Sequence, residues 1–140
     1  MIKISTKQSG FSLLEVLISV FILAVGLLGL ASLQMTSLKN NHSAQYRTSA
    51  TVIAYDIIDR MRLNKTADYT IALAATPSGS TWKDKDLIAW KNQLTSELPS
   101  GDGSVKIAGD IVTVVVQWDD RRAEDSTAAK LKSFTVSSER

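Results

Sequence analysis

The sequence predicts an α+β fold: one long N-terminal helix over about residues 11–64, its second half packed on a small antiparallel sheet of about three strands plus a short helix. Three observations carry this. No proline interrupts residues 11–76. Leu87, Trp90, Leu94 and Leu98 recur at helical spacing. Val112, Val114, Val116 and Trp118 then alternate with Ile111, Thr113, Val115 and Gln117 beyond a Gly109-Asp110 turn, the two-residue period of a hairpin.

The chain starts MIKISTKQSG, with Lys3 and Lys7 and no acid. Beyond this stretch the charges balance, 14 basic against 14 acidic side chains once Lys3 and Lys7 are set aside. No charge excess therefore points to nucleic acid. The 140 residues suffice for one modest domain, and the absence of cysteine excludes disulfides and thiolate chemistry.

From Phe11 to Leu33 the only charge is Glu15, and the only other polar side chains are Ser12, Ser19 and Ser32. A helix of this length reaches roughly 34 Å, enough to cross a hydrocarbon core of about 30 Å. Lys3 and Lys7 place the N-terminal side in the cytoplasm by the positive-inside tendency. A carboxylate within such a segment costs on the order of 2.5–3.5 kcal/mol at a bilayer centre, so Glu15 calls for an explanation.

Three readings compete. A removable signal peptide has a basic start, an apolar run and small residues before its cut, which Gly29 and Ala31 imitate. Glu15 interrupts that run, however, and the helical pattern continues past Ala31. A plain single-span anchor carrying a periplasmic binding domain or enzyme leaves Glu15 unexplained. The third reading places the cut between Gly10 and Phe11. The new amine at Phe11 and the Glu15 carboxylate are each costly alone in lipid and compensate when paired. If the amine belongs to a neighbouring subunit, the pair sets the axial register of otherwise slippery apolar helices.

The run Gly10-Phe11-Ser12-Leu13-Leu14-Glu15-Val16-Leu17, after a short basic leader and before a membrane-length segment, resembles the class III leader junction of type IV pilins and type II secretion pseudopilins. That resemblance implies three things. A membrane-embedded prepilin peptidase cuts after Gly10 and methylates the Phe11 amine; Glu15 serves filament assembly; and the fold is ladle-shaped. The implied organisation is a cleaved cytoplasmic leader (1–10), the transmembrane and assembly half of the long helix (11–33), and a periplasmic domain (34–140) that includes the helix's second half. Gly26 and Gly29 suit close packing of membrane helices. Many major pilins carry a proline in this region, and this chain has none there, which disfavours local unwinding.

Along the second half of the long helix, Ile53, Ala54, Ile57, Ile58 and Met61 form an apolar stripe. Asp56, Asp59, Arg60 and Arg62 fall on the other side, as a solvated face. Residues 65–83 read as loop, with Pro77 and Gly79. Thr81, three residues before Asp84, resembles an N-cap box that opens the short helix, and Pro99-Ser100-Gly101 ends it. SVKIA and IVTVVVQW form the hairpin, DDRRAEDSTAA a charged loop, and KLKSFTVSS a third strand. Val112, Val114, Trp118, Phe134, Ile57 and Met61 are expected in the core.

The blocks AYDIIDRMRLN, DLIAWKNQLTSELPSGDG and VTVVVQWDDRR, with AVGLLGLASLQ in the apolar segment, are similar to the PilV-type minor pilins, the type IV pilus modification proteins. The lack of two cysteines closing a C-terminal loop fits a minor subunit. The resemblance implies a minor pilin that initiates assembly or joins the tip complex, with twitching motility, adhesion or DNA uptake as outputs. Its implied partners are prepilin peptidase, the other minor pilins and the major pilin, the inner-membrane assembly machinery and membrane lipid. Its implied location is the inner membrane, then a pilus that crosses the periplasm to the exterior. A minor pseudopilin of a type II secretion system is the alternative within the family.

No catalytic residue, cofactor or metal is expected. His42 stands alone, so a transition-metal site lacks ligands. Calcium needs several converging oxygens; Asp84 and Asp86 sit at a helix start instead, and Asp119 and Asp120 precede Arg121 and Arg122. No nucleophile–base spacing or phosphate-binding glycine loop is present. Trp82, Trp90 and Trp118 suit core filling better than a sugar- or DNA-facing surface. The chain reads as the substrate of an enzyme rather than an enzyme.

Overall fold

A computed structural model describes residues 10, 12–121 and 130–139. The element order is α1 (Leu13–Leu63), α2 (Trp82–Glu97), β1 (Asp102–Ala108), β2 (Ile111–Asp119) and β3 (Leu131–Glu139). This is the α+β arrangement that the patterning predicts, and it is pilin-like, as the resemblance implies. The chain divides into two units, Met1–Leu38 and Lys39–Arg140.

In the first unit, every residue from 12 to 38 is exposed. Its leucines, valines, isoleucines and Phe21 project on all sides of α1, with no stripe turned towards a core. The apolar helix that they form is long enough and apolar enough to cross a membrane.

The second unit has a core, and periodicity explains it. Ala50, Ile53, Ala54, Ile57, Ile58 and Met61 repeat at three and four along α1 and are buried. They meet Leu87, Trp90, Leu94 and Leu98 from α2 and its end, and Val105, Val112, Val114, Val116 and Trp118 from the sheet. Phe134 and Val136 are half-buried and pack against this cluster.

Thr81 caps α2 by the predicted box: its hydroxyl oxygen accepts from the Asp84 N–H at 3.3 Å, and the Asp84 carboxylate accepts from the Thr81 N–H at 3.1 Å. At the other end Leu98, extended before Pro99, leaves the helical conformation. The sheet is antiparallel with order β1-β2-β3. Gly109, at φ +63°, opens the two-residue turn that pairs Ala108 with Ile111, the place where such a hairpin favours glycine. The even positions 112–118 of β2 are buried and the odd positions 111–117 are not, as the alternation predicts, while Asp119 at the strand's end is buried too.

Four features differ from the expectations. Tyr69, inside the predicted loop, is fully buried. Ile71 beside it forms an isolated antiparallel bridge with Val105, so this loop is anchored to β1 by main-chain bonds. The charged face of α1 is only partly solvated: Arg60 donates to Asp56 and Asp86, each at 3.0 Å, and the Tyr69 hydroxyl donates to Asp86 at 2.9 Å. Finally, Trp90 and Trp118 fill the core, whereas Trp82 is 78% exposed.

Candidate processing and assembly site

The start of α1 is built by local hydrogen bonding. Ser12 lies just before the helix; its carbonyl accepts from the Glu15 and Val16 N–H groups at 3.0 and 3.3 Å, and its hydroxyl oxygen accepts from the Leu14 N–H at 3.2 Å. Ser12 therefore satisfies several of the N–H groups that a helix start leaves orphaned. Glu15 follows in the first turn, where the partial positive charge of the helix start favours a carboxylate. Ser19 donates its hydroxyl to the Glu15 carbonyl at 2.7 Å, a bond one turn along that leaves the carboxylate untouched. The Glu15 side chain is exposed and has no partner among the described residues.

Gly10 is exposed and precedes the helix, and a Cβ built there meets nothing within 4 Å. Phe11 and the basic leader residues 1–9 lie outside the described residues. Gly26 and Gly29 stand in the apolar part of α1, with open space over both. A neighbouring backbone can approach closely at such positions. The described arrangement is thus a capped helix start with one unpaired acid, followed by apolar surface on every side.

The remaining ionisable groups serve the fold. Burial acts to raise the Asp102 carboxyl, but the Lys91 ammonium and the N–H groups of Ala74 and Gly103 outweigh it and hold the group below the usual carboxylate range. Asp119 is likewise raised by burial and lowered further by the N–H groups of Arg121 and Lys130 and by the Arg121 guanidinium. Arg121 and Lys130 flank residues 122–129, the part of the expected charged loop that lies outside the described residues. Asp120 accepts from the Ser43 hydroxyl at 2.8 Å, tying the end of β2 to α1. Among the described residues no cluster of three or more acids, histidines or cysteines exists to hold a metal.

The prokaryotic N-terminal methylation motif matches residues 5–31, which include Gly10, Phe11, Glu15, Gly26 and Gly29. This match supports a type IV pilin-like, prepilin-processed protein, and a structural subunit rather than an enzyme. With the apolar helix, it also supports membrane anchoring followed by incorporation into a pilus. No curated protein and no solved structure matches the chain.

Proposed function

We propose that the chain is a minor pilin of a type IV pilus. Prepilin peptidase removes residues 1–10 on the cytoplasmic side and methylates the Phe11 amine. The mature chain waits in the inner membrane on residues 11–33, with residues 34–140 in the periplasm. It then joins the other minor pilins and the major pilin, where it helps to initiate assembly or to form the tip complex. Twitching motility, adhesion and DNA uptake are outputs of the assembled fibre.

The observation that carries this reading is the methylation motif matched over residues 5–31 and continuous with an exposed apolar helix. Glu15, unpaired in its first turn, suits a neighbour's methylated amine, because each charge alone is costly in lipid. Gly26 and Gly29 suit close contact with the helices of adjacent subunits. The minor role rests on two features: the blocks similar to PilV-type proteins and the absence of cysteine.

Intact-mass measurement on membrane-purified protein tests the processing. The expected mass is that of residues 11–140 plus one methyl group, and an unprocessed chain beginning at Met1 overturns the proposal. Deleting the gene and counting surface pili tests the pilus role; an unchanged count with loss of a secreted substrate assigns the chain to a type II secretion system.

A further inference from the structure

The three tryptophans are used in two ways. Trp90 and Trp118 are 0% and 1% exposed, whereas Trp82 is 78% exposed. Trp82 is the first residue of α2, directly after the Thr81 cap. Helical side chains lean towards the helix start, so an indole at this position covers no earlier turn of its own helix. The Lys85 ammonium stands 5.2 Å from the ring centroid, an i,i+3 cation–π contact that steadies the indole. A single ammonium leaves most of the ring open.

The ring borders a surface recess of about 350 Å³ lined by Asn64, Ala67, Asp68, Thr81, Trp82 and Lys83. This composition selects among ligands. An aliphatic or aromatic peptide side chain needs apolar walls, and Ala67 alone supplies one beside the indole. A nucleobase would stack on Trp82, but its phosphates need a cationic track. Here Lys83 already faces Asp84 at 3.8 Å, and the Asp68 carboxylate, which accepts from the Thr70 N–H at 2.9 Å, also borders the recess. A sugar ring fits both halves of the lining: its C–H face stacks on the indole while its hydroxyls reach a carboxylate, an amide and an ammonium. Such a mixture of one aromatic plate and a few polar groups fixes orientation as well as affinity. We propose that Trp82 and this recess form a binding subsite for a neutral pyranose of a glycan, independent of the processing site on α1.

The division of the tryptophans supplies the assay. With Trp90 and Trp118 shielded, Trp82 dominates the fluorescence that acrylamide can quench. The full chain, held in a detergent without a sugar headgroup, is titrated with chitotetraose, cellotetraose and maltotetraose. The expected result is saturable protection from quenching by at least one of them. By calorimetry, Trp82→Ala and Asp68→Asn should each weaken that binding about tenfold or more, with wild-type circular dichroism and melting. Trp82→Phe, which keeps a smaller plate, should fall between wild type and Trp82→Ala, and carries the test should Trp82→Ala fail to fold. Protection by none of the three sugars, protection by an oligo-dT strand alone, or full sugar affinity in a folded Trp82 variant overturns the proposal.

Discussion

The indole N–H of Trp90 donates to the main-chain carbonyl of Ile53 at 3.0 Å, and both residues are completely buried. Ile53 lies well inside the second half of α1, where its carbonyl also serves the helix, so the second lone pair receives a partner from another element. The bond sets where α2 meets α1 and satisfies a polar group that burial would otherwise penalise.

Trp90→Ala removes one of the two largest side chains of this core together with the bond. It should destabilise the fold by about 3–5 kcal/mol. Trp90→Phe keeps a ring, and the Ile53 carbonyl keeps its helical bond, so the cost should be about 1–2 kcal/mol. The shift of the urea midpoint measures both.

Gly103 is held by the same ring. A Cβ there would stand 2.5 Å from Trp90 Cη2 and 2.9 Å from Leu94 Cδ1. The leucine methyl can turn aside, but the buried indole cannot, so Gly103→Ala should cost about 1–3 kcal/mol by overpacking. Phenylalanine has no atom at the place of Cη2. In a Trp90→Phe background the same alanine should therefore cost less, and a double-mutant cycle by urea unfolding should show that coupling.

Tyr69 makes stability depend on alkaline pH. Burial first, then the hydrogen bond to Asp86 and its charge, push the hydroxyl up to about 12, against smaller opposing effects from Asn64 and Arg60. In the unfolded chain the same group ionises near 10. A folded value above the unfolded one means that the contribution is complete below about pH 10 and lost as pH rises towards 12. Tyr69→Phe removes this component, so the stability gap between wild type and variant should narrow over that window. Urea unfolding of both proteins across it checks the sign. A gap that stays constant, or that widens, would refute the assignment.

The elements were legible in the sequence where local pattern decides them. The spacing of Leu87, Trp90 and Leu94 marks α2, Thr81 and Asp84 mark its start, and the alternation through Val112, Val114 and Val116 marks β2. What local pattern cannot show is which distant residue a side chain will meet. Tyr69 sits in a stretch without periodicity, and its burial follows from Asp86 and from the Ile71–Val105 bridge, both distant in sequence. Arg60 reads as a surface cation, yet it reaches Asp86, 26 positions away. Trp82 continues no apolar stripe, and its place at the very start of α2 was the available sign of its exposure. The helix start around Ser12 and Glu15 is legible for the opposite reason. Its residues are contiguous, and the helix start that they build needs only its own neighbours.

Glu15 offers the sharpest test of how that helix start is used. The carboxylate stands in the first turn of α1, exposed and without a partner among the described residues, ahead of an apolar helix. The proposed cut lies on the far side of Phe11, so Glu15→Ala should leave trimming and membrane residence intact. On the proposed function, what it removes is the negative half of a pair whose positive half exists only after trimming and belongs to another subunit. The fraction of the chain recovered in sheared pili, relative to the membrane fraction, should fall at least about tenfold, as expected for loss of a buried charge pair worth several kcal/mol. Glu15→Gln separates charge from shape, since it keeps the size and hydrogen-bonding capacity and loses only the charge. It should behave like the alanine variant, whereas Glu15→Asp should recover part of the incorporation. If the glutamine variant assembles as well as wild type, the amine is not Glu15's partner, and the axial register of the helices is set by apolar packing around Gly26 and Gly29 instead.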